Sequence, residues 1–177
     1  MKIYLVRHGE TTGDIENRYG GSYDDHLTGL GRGQLQETAS KLVGKDIEKI
    51  FTSPLIRAKE SAEIISSVIN ASIEIRDGLR ERHYGVLTGL TNTEALEKYP
   101  KEVEAHKNPL NTDPDGESYQ DFQNRVLNTF KIITNEKHQA VSIISHGGPI
   151  KQILAYLGKD IPPKLGDGEI IELEVQF

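Results

Sequence analysis

The sequence predicts an α/β fold, a three-layer αβα sandwich whose mostly parallel central sheet is covered by helices on both faces. Two observations carry this reading. Short apolar runs of strand-forming residues recur at Ile3 to Val6, Lys49 to Ser53, Ile73 with Ile75, and Ala140 to Ser145, and segments of helical apolar spacing separate them. Helices of that length between strands form βαβ units, so neighbouring strands run parallel and each crossover covers a face of the sheet. With 177 residues and no linker or internal repeat, a single domain over residues 1–177 is expected.

Each element has its own signal. Ile3-Tyr4-Leu5-Val6 is continuously apolar, and Gly9 in Arg7-His8-Gly9 permits a sharp change of direction after it. Thr28 is placed to cap a helix that carries Leu35, Ala39, Leu42 and Val43 on one face and stops at Gly44. After the Lys49 to Ser53 strand, Pro54 suits the first turn of a helix whose apolar face, Leu55, Ala58, Ala62, Ile65 and Ile69, runs to Asn70. Ile73 and Ile75 mark the third strand. Residues 106–117 hold two prolines with Asn and Asp, the composition of an excursion loop.

Ser118 and Asp121 resemble a capping box in front of Phe122, Val126, Phe130 and Ile133, the longest expected helix, which reaches Glu136. The strand Ala140 to Ser145 is followed by a His146-Gly147-Gly148 turn and a helix from Pro149 to Leu157 that Gly158 closes. Glu169 to Val175 alternates as a last strand, expected inside the sheet.

Composition excludes several classes. A formal charge of −6 argues against a general nucleic-acid or anionic-membrane binder, so an anionic ligand has to be held by a local basic cluster. The absence of Cys removes disulfide scaffolds, thiolate metal sites and every phosphatase or protease that attacks with a thiolate. The first apolar run is too short for a signal-peptide core, and no segment approaches the roughly 20 apolar residues of a membrane span. A cytoplasmic protein is the expectation.

In open parallel sheets the ligand crevice lies beyond the carboxyl ends of the strands. Those ends deliver Arg7, His8 and Gly9, then Ser53 and Arg57, then Arg80, Glu81, Arg82 and His83, then His146, Gly147 and Gly148. On an acidic chain this concentration of Arg and His marks an anion site. A metal is not expected, because the histidines lack the short helical spacing of zinc hydrolases and their neighbours are arginines. No Gly-x-Ser-x-Gly elbow, phosphate-binding P-loop or EF-hand loop is present.

The chemistry that remains is phosphoryl transfer. Arg7, Arg57 and His146 would clamp the phosphoryl oxygens, His8 would attack phosphorus as a neutral imidazole, and Glu81 would protonate the leaving alkoxide. The attacking nitrogen is freed when the other ring nitrogen donates to a fixed acceptor, expected to be a backbone carbonyl in the Gly9 turn.

Arg7-His8-Gly9-Glu10-Thr11 resembles the signature of the histidine phosphatases, the phosphoglycerate-mutase-like superfamily. The resemblance continues through Glu16 to Gly21, Asp24, Leu27-Thr28, Ser53 to Ala58, Glu81 to Gly85, Gly116-Glu117-Ser118 and Ser145 to Gly148. It implies a phosphoglycerate mutase-like fold, His8 as phosphorylated nucleophile, Glu81 as proton donor and no metal. It also implies a substrate pocket drawing on Arg7, Asp14, Gly20, Gly21, Arg57, Arg82, Tyr84, His146 and Gly147.

Arg18 to Asp24 and Glu81 to Leu90 are similar to bisphosphoglycerate-dependent phosphoglycerate mutases, yet residues 95–115 hold no Arg to grip a substrate carboxylate. Asp14, Asn92 and Gly148 also replace the expected Asn, Lys and Asn. The expected function is therefore a cofactor-independent phosphatase of a small phosphorylated metabolite, with no nucleic-acid or membrane partner, acting as a monomer or homodimer. A mutase using 2,3-bisphosphoglycerate is the alternative, and a noncatalytic phosphate-binding or interaction domain is the alternative from another class.

Overall fold

In a computed structural model, which describes residues 1–175, five strands form one sheet in the order β3-β2-β4-β1-β5. They are β1 (Lys2–Arg7), β2 (Lys49–Thr52), β3 (Ser72–Ile75), β4 (Ala140–Ser145) and β5 (Ile170–Glu174). Strands β1 to β4 are parallel and β5 runs antiparallel to β1. Residues 176 and 177, the end of the expected domain, lie outside the described residues. Contrary to the expectation of an internal strand, β5 forms an edge, because it pairs with β1 alone. No helix among the described residues is long and apolar enough to cross a membrane.

The alternation of side chains along β1 sorts the core into two layers. Ile3 and Leu5 face α6 (Tyr119–Asn135) and α7 (Gly147–Tyr156), where they meet Phe122, Phe130 and Ile153. Tyr4 and Val6 face α2 (Gly29–Leu42) and α3 (Ile56–Ile69), where they meet Leu35, Ala39, Ala58 and Ala62. The four-residue steps from Phe122 to Val126 to Phe130 place one stripe of α6 on the sheet. Fully burying Phe130 contributes roughly 2–3 kcal/mol on an area basis.

Local signals explain most boundaries. Thr28 accepts a hydrogen bond from the Gly31 amide and Ser118 from the Asp121 amide, which starts α2 and α6. Asn70 ends α3 in the left-handed conformation at φ 58°. Pro54 precedes α3 instead of occupying its first turn. That helix starts at Ile56, whose amide donates to Asp24 Oδ1 at 2.6 Å, so a carboxylate distant in sequence caps it. Helix α7 begins at Gly147, two residues ahead of the expected start, with His146 as its N-cap.

Three short helices carried no long periodic pattern: α1 (Thr12–Ile15), α4 (Asn92–Lys98) and α5 (Pro100–His106). The expected excursion loop follows α5. Arg82 holds it by donating to the carbonyls of Pro109, Asn111 and Glu117 at 2.6, 2.6 and 2.9 Å.

Candidate active site

Sheet register brings the two histidines together. Arg7 of β1 sits opposite Ser145 of β4, so His8 and His146 leave adjacent strand ends side by side, with ring centroids 5.1 Å apart. The chain runs from β1 toward helices on one face and from β4 toward α7 on the other, so a crevice opens between these strand ends. There a cavity of about 550 Å³ is lined by Arg7, His8, Arg57 and Glu81, with Tyr84 and Tyr119 among the residues of its walls.

His8 is held in one tautomer. Its Nδ1–H donates to the Gly9 carbonyl at 2.8 Å, which leaves the lone pair on Nε2. Burial, reinforced by the Arg57 charge, pushes the His8 pKa well below its ordinary value of 6.5, so the ring is neutral near pH 7. A neutral, oriented imidazole lining a cationic cavity is competent to attack an electrophilic phosphorus.

The first turn of α3 supplies Arg57, whose guanidinium carries five N–H donors. Nε donates to His146 Nδ1 at 3.2 Å, Nη1 to the Tyr23 carbonyl and to Asp25 Oδ1 at 2.8 Å, and Nη2 to the Gly21 carbonyl at 2.7 Å. One Nη2 proton is left for an anion. Because Nδ1 of His146 accepts, its Nε2–H donates to Ser53 Oγ at 2.8 Å. The resemblance puts His146 in the phosphate pocket; here both its nitrogens face Arg57 and Ser53, so it holds the clamp from behind. Burial and Arg57 push its pKa well below the usual histidine value, which keeps it neutral.

Arg7 turns toward the cavity from the end of β1. Nη1 donates to the Leu165 carbonyl at 2.6 Å and pairs with Asp167 at 2.9 Å. Its Nε and Nη2 donors stay available for an anion.

Glu81 is not an ordinary surface carboxylate paired with the side chain of Arg80 or Arg82. It is only 9% exposed. Its oxygens accept backbone N–H bonds from Arg82 at 2.8 Å and Gly148 at 2.9 Å. A Cβ on Gly148 would lie 2.1 Å from Glu81 Oε1, so this glycine makes the approach possible. Arg125 braces the segment by donating to the carbonyls of Gly78, Arg80 and Glu81 while Glu117 neutralises it.

The other expected pocket residues divide. Gly20, Gly21, Tyr84 and Gly147 line the cavity. Asp14 and Arg82 also line it, but their polar atoms have other work. The Asp14 carboxylate accepts from Thr11 N and Oγ1 at 2.9 and 2.8 Å in a capping box that starts α1, which accounts for an acid near an anion site. The Arg82 donors hold the loop after α5. Arg80 reaches Asp77, and exposed His83 accepts from the Gly85 amide.

Asp25, Asp167 and Arg125 escaped the sequence reading as site residues, and Ser53 was placed at the strand ends without a role. Asp25 was within reach, since it adjoins Asp24. Asp167 and Arg125 act through tertiary contacts that leave no local pattern.

The match to known proteins follows the same geometry. Residues 3–171 match the model of the histidine phosphatase superfamily, branch 1, and the chain belongs to that family. It is 30% identical over 161 residues to the uncharacterized phosphatase PhoE of Bacillus subtilis, covering 90% of this chain and 79% of that protein. It is 31% identical over 176 residues to 2,3-bisphosphoglycerate-dependent phosphoglycerate mutase 2 of Gloeobacter violaceus, covering 95% and 80%. Among solved structures, YhfR of Bacillus stearothermophilus superposes with a TM-score of 0.89 at 29% identity, over 99% of this chain and 91% of that one.

Proposed function

We propose that this protein is a metal-independent phosphatase that hydrolyses a small phosphate monoester through a phosphohistidine on His8. The observation that carries the reading is the Gly9 carbonyl fixing His8 Nδ1–H, which presents a neutral Nε2 beside two guanidiniums. Nε2 attacks phosphorus while the bond to the alkoxide oxygen breaks and Glu81 gives that oxygen its proton. Glu81 then takes a proton from water as the water attacks phosphohistidine, which returns His8 and releases inorganic phosphate. Donors of Arg7 and Arg57 offset charge on the equatorial oxygens without rearranging, the condition under which electrostatic stabilisation is largest.

The likeness to a phosphoglycerate mutase supports a second reading, in which His8 carries the phosphoryl group between two positions of one substrate. A mutase has to keep its phosphohistidine from water and retain a bisphosphate intermediate. Here the segment from 95 to 115 is short and contributes no arginine, which favours hydrolysis.

Turnover of p-nitrophenyl phosphate by the wild-type protein and by His8→Ala tests the proposal. Phosphate release abolished in the variant, with label from quenched enzyme on His8, is expected. Activity that survives His8→Ala, or label elsewhere, overturns it, and no turnover of any phosphoester returns the protein to the noncatalytic class. Conversion of 3-phosphoglycerate stimulated by 2,3-bisphosphoglycerate, with slow phosphate release, selects the mutase.

A further inference from the structure

The cavity extends well past the phosphoryl site, and its charges are unevenly neutralised. Arg57 is paired with Asp25 at 2.8 Å and Arg7 with Asp167 at 2.9 Å, so each clamp guanidinium already has its own carboxylate. Of the other cations of the wall, Arg18 pairs with Glu16 and Arg82 spends its donors on three backbone carbonyls, whereas Lys151 and Lys164 pair with no carboxylate among the described residues. Lys151 Nζ donates to the Pro163 carbonyl at 3.3 Å, which draws it toward the segment that carries Lys164.

Both lysines are tied to the catalytic groups by short stretches of backbone. Gly147, Gly148, Lys151 and Gln152 all line the cavity, and steps of three and four residues put them on one face of α7. Lys151 therefore stands one turn beyond the Gly148 amide that holds Glu81. Lys164 directly precedes Leu165, whose carbonyl holds Arg7. The carboxylates nearby are engaged elsewhere or held back: burial raises the pKa of Asp167, which pairs with Arg7 and also feels Asp14, Glu10 and Lys164, while Asp14 is closed onto Thr11 and Glu10 accepts from Thr28. Buried Gln152, next to Lys151 in the chain, adds a polar side chain to the same wall, and its Nε2 donates to the Tyr119 hydroxyl at 3.1 Å.

Resting on the phosphatase reading, we propose that Lys151 and Lys164 form a second anion subsite, so that the substrate is a phosphomonoester bearing another anionic group on its organic part. The anion is a carboxylate or a second phosphate, and the cavity admits a short connecting chain. The subsite is built from α7 and the segment before Leu165, whereas the 95–115 segment brings no cation of its own to the cavity lining beyond His106.

The test compares matched substrates: 3-phosphoglycerate against glycerol 3-phosphate for the carboxylate, and propane-1,3-diol bisphosphate against propyl phosphate for the second phosphate. In the wild-type protein the member of at least one pair that carries the second anionic group is expected to have a kcat/KM about tenfold or more above the member without it, the scale of one charge-assisted hydrogen bond. In Lys151→Met and Lys164→Met that ratio is expected to fall toward one, and whichever pair shows the effect identifies the anion. Equal kcat/KM within both pairs, or lysine variants that lower both members of a pair by the same factor, overturn the subsite. Turnover of p-nitrophenyl phosphate separates the two claims. If the wild-type protein lacks it, calorimetric binding of 3-phosphoglycerate, weakened about tenfold by either lysine substitution, still decides the subsite, and binding unaffected by both substitutions rejects it.

Discussion

The Arg57–Asp25 pair offers a measurement whose size follows from its surroundings. Both side chains are 4% exposed and 2.8 Å apart. Asp25 Oδ2 accepts in addition from the Gly13 amide at 3.2 Å, and Arg57 satisfies the carbonyls of Gly21 and Tyr23. Replacing Arg57 by Met keeps much of the side-chain bulk but leaves a buried carboxylate without its ion-pair partner, a defect that costs about 3–5 kcal/mol. For a chain of this size that corresponds to a fall of about 6–20 °C in Tm. Adding Asp25→Asn removes the stranded charge, so the double variant is expected to regain at least about half of the loss, a coupling of about 2 kcal/mol. Activity is expected to stay low in both, because the anion clamp is gone in each. Thermal denaturation of the four proteins of this cycle at pH 7.5 reads the coupling. A fall below about 1 kcal/mol for Arg57→Met, or strictly additive losses, would refute the claim that Asp25 depends on this guanidinium.

Further outcomes follow from the same site. His8 and His146 have folded-state pKa values below the ordinary 6.5, so neither affects the pH dependence of stability well above that value. As pH falls through 6.5 the unfolded chain binds protons that the native rings refuse, and each is expected to remove about 1.4 kcal/mol per pH unit until its folded pKa is reached. Tm curves of the wild type and His8→Asn between pH 7.5 and 5.5 should therefore converge toward low pH, and parallel curves contradict the buried neutral ring. Glu81→Gln is expected to slow alkyl phosphates far more than p-nitrophenyl phosphate, since only the former need a donated proton; equal losses in steady-state kinetics reassign the general acid. Gly148→Ala is expected to displace Glu81 and reproduce that leaving-group dependence in a folded protein, and kinetics matching the wild type would mean that the carboxylate tolerates the methyl group.

Much of this architecture was legible in the chain. The strand Ala140 to Ser145 matches its observed bounds, and Thr28 and Ser118 cap the helices they were expected to cap, because each signal acts over three or four residues. The fixed His8 tautomer was legible for the same reason, since its acceptor is the next residue. What escaped depends on distance. Pro54 suggests a helix start, yet the cap comes from Asp24, 32 residues before the Ile56 amide it accepts from. Asp14 reads as a misplaced acid until Thr11 is seen to use its carboxylate. The edge position of β5 depends on which strands flank β1, something that alternation of side chains does not encode.

The sheet order also governs when the centre can exist during synthesis. Strand β1 holds an interior place, yet its neighbours β4 and β5 begin at residues 140 and 170. A nascent chain that has left the ribosome as far as β3 can pair β2 with β3, while β1 has nothing to lie against and His8 has no second imidazole beside it. Such late, long-range closure is slow and leaves apolar strand edges open on the way. Translation interrupted before β4 therefore releases fragments with open strand edges, the kind that chaperones and proteases handle, and none of those carries a finished reaction centre.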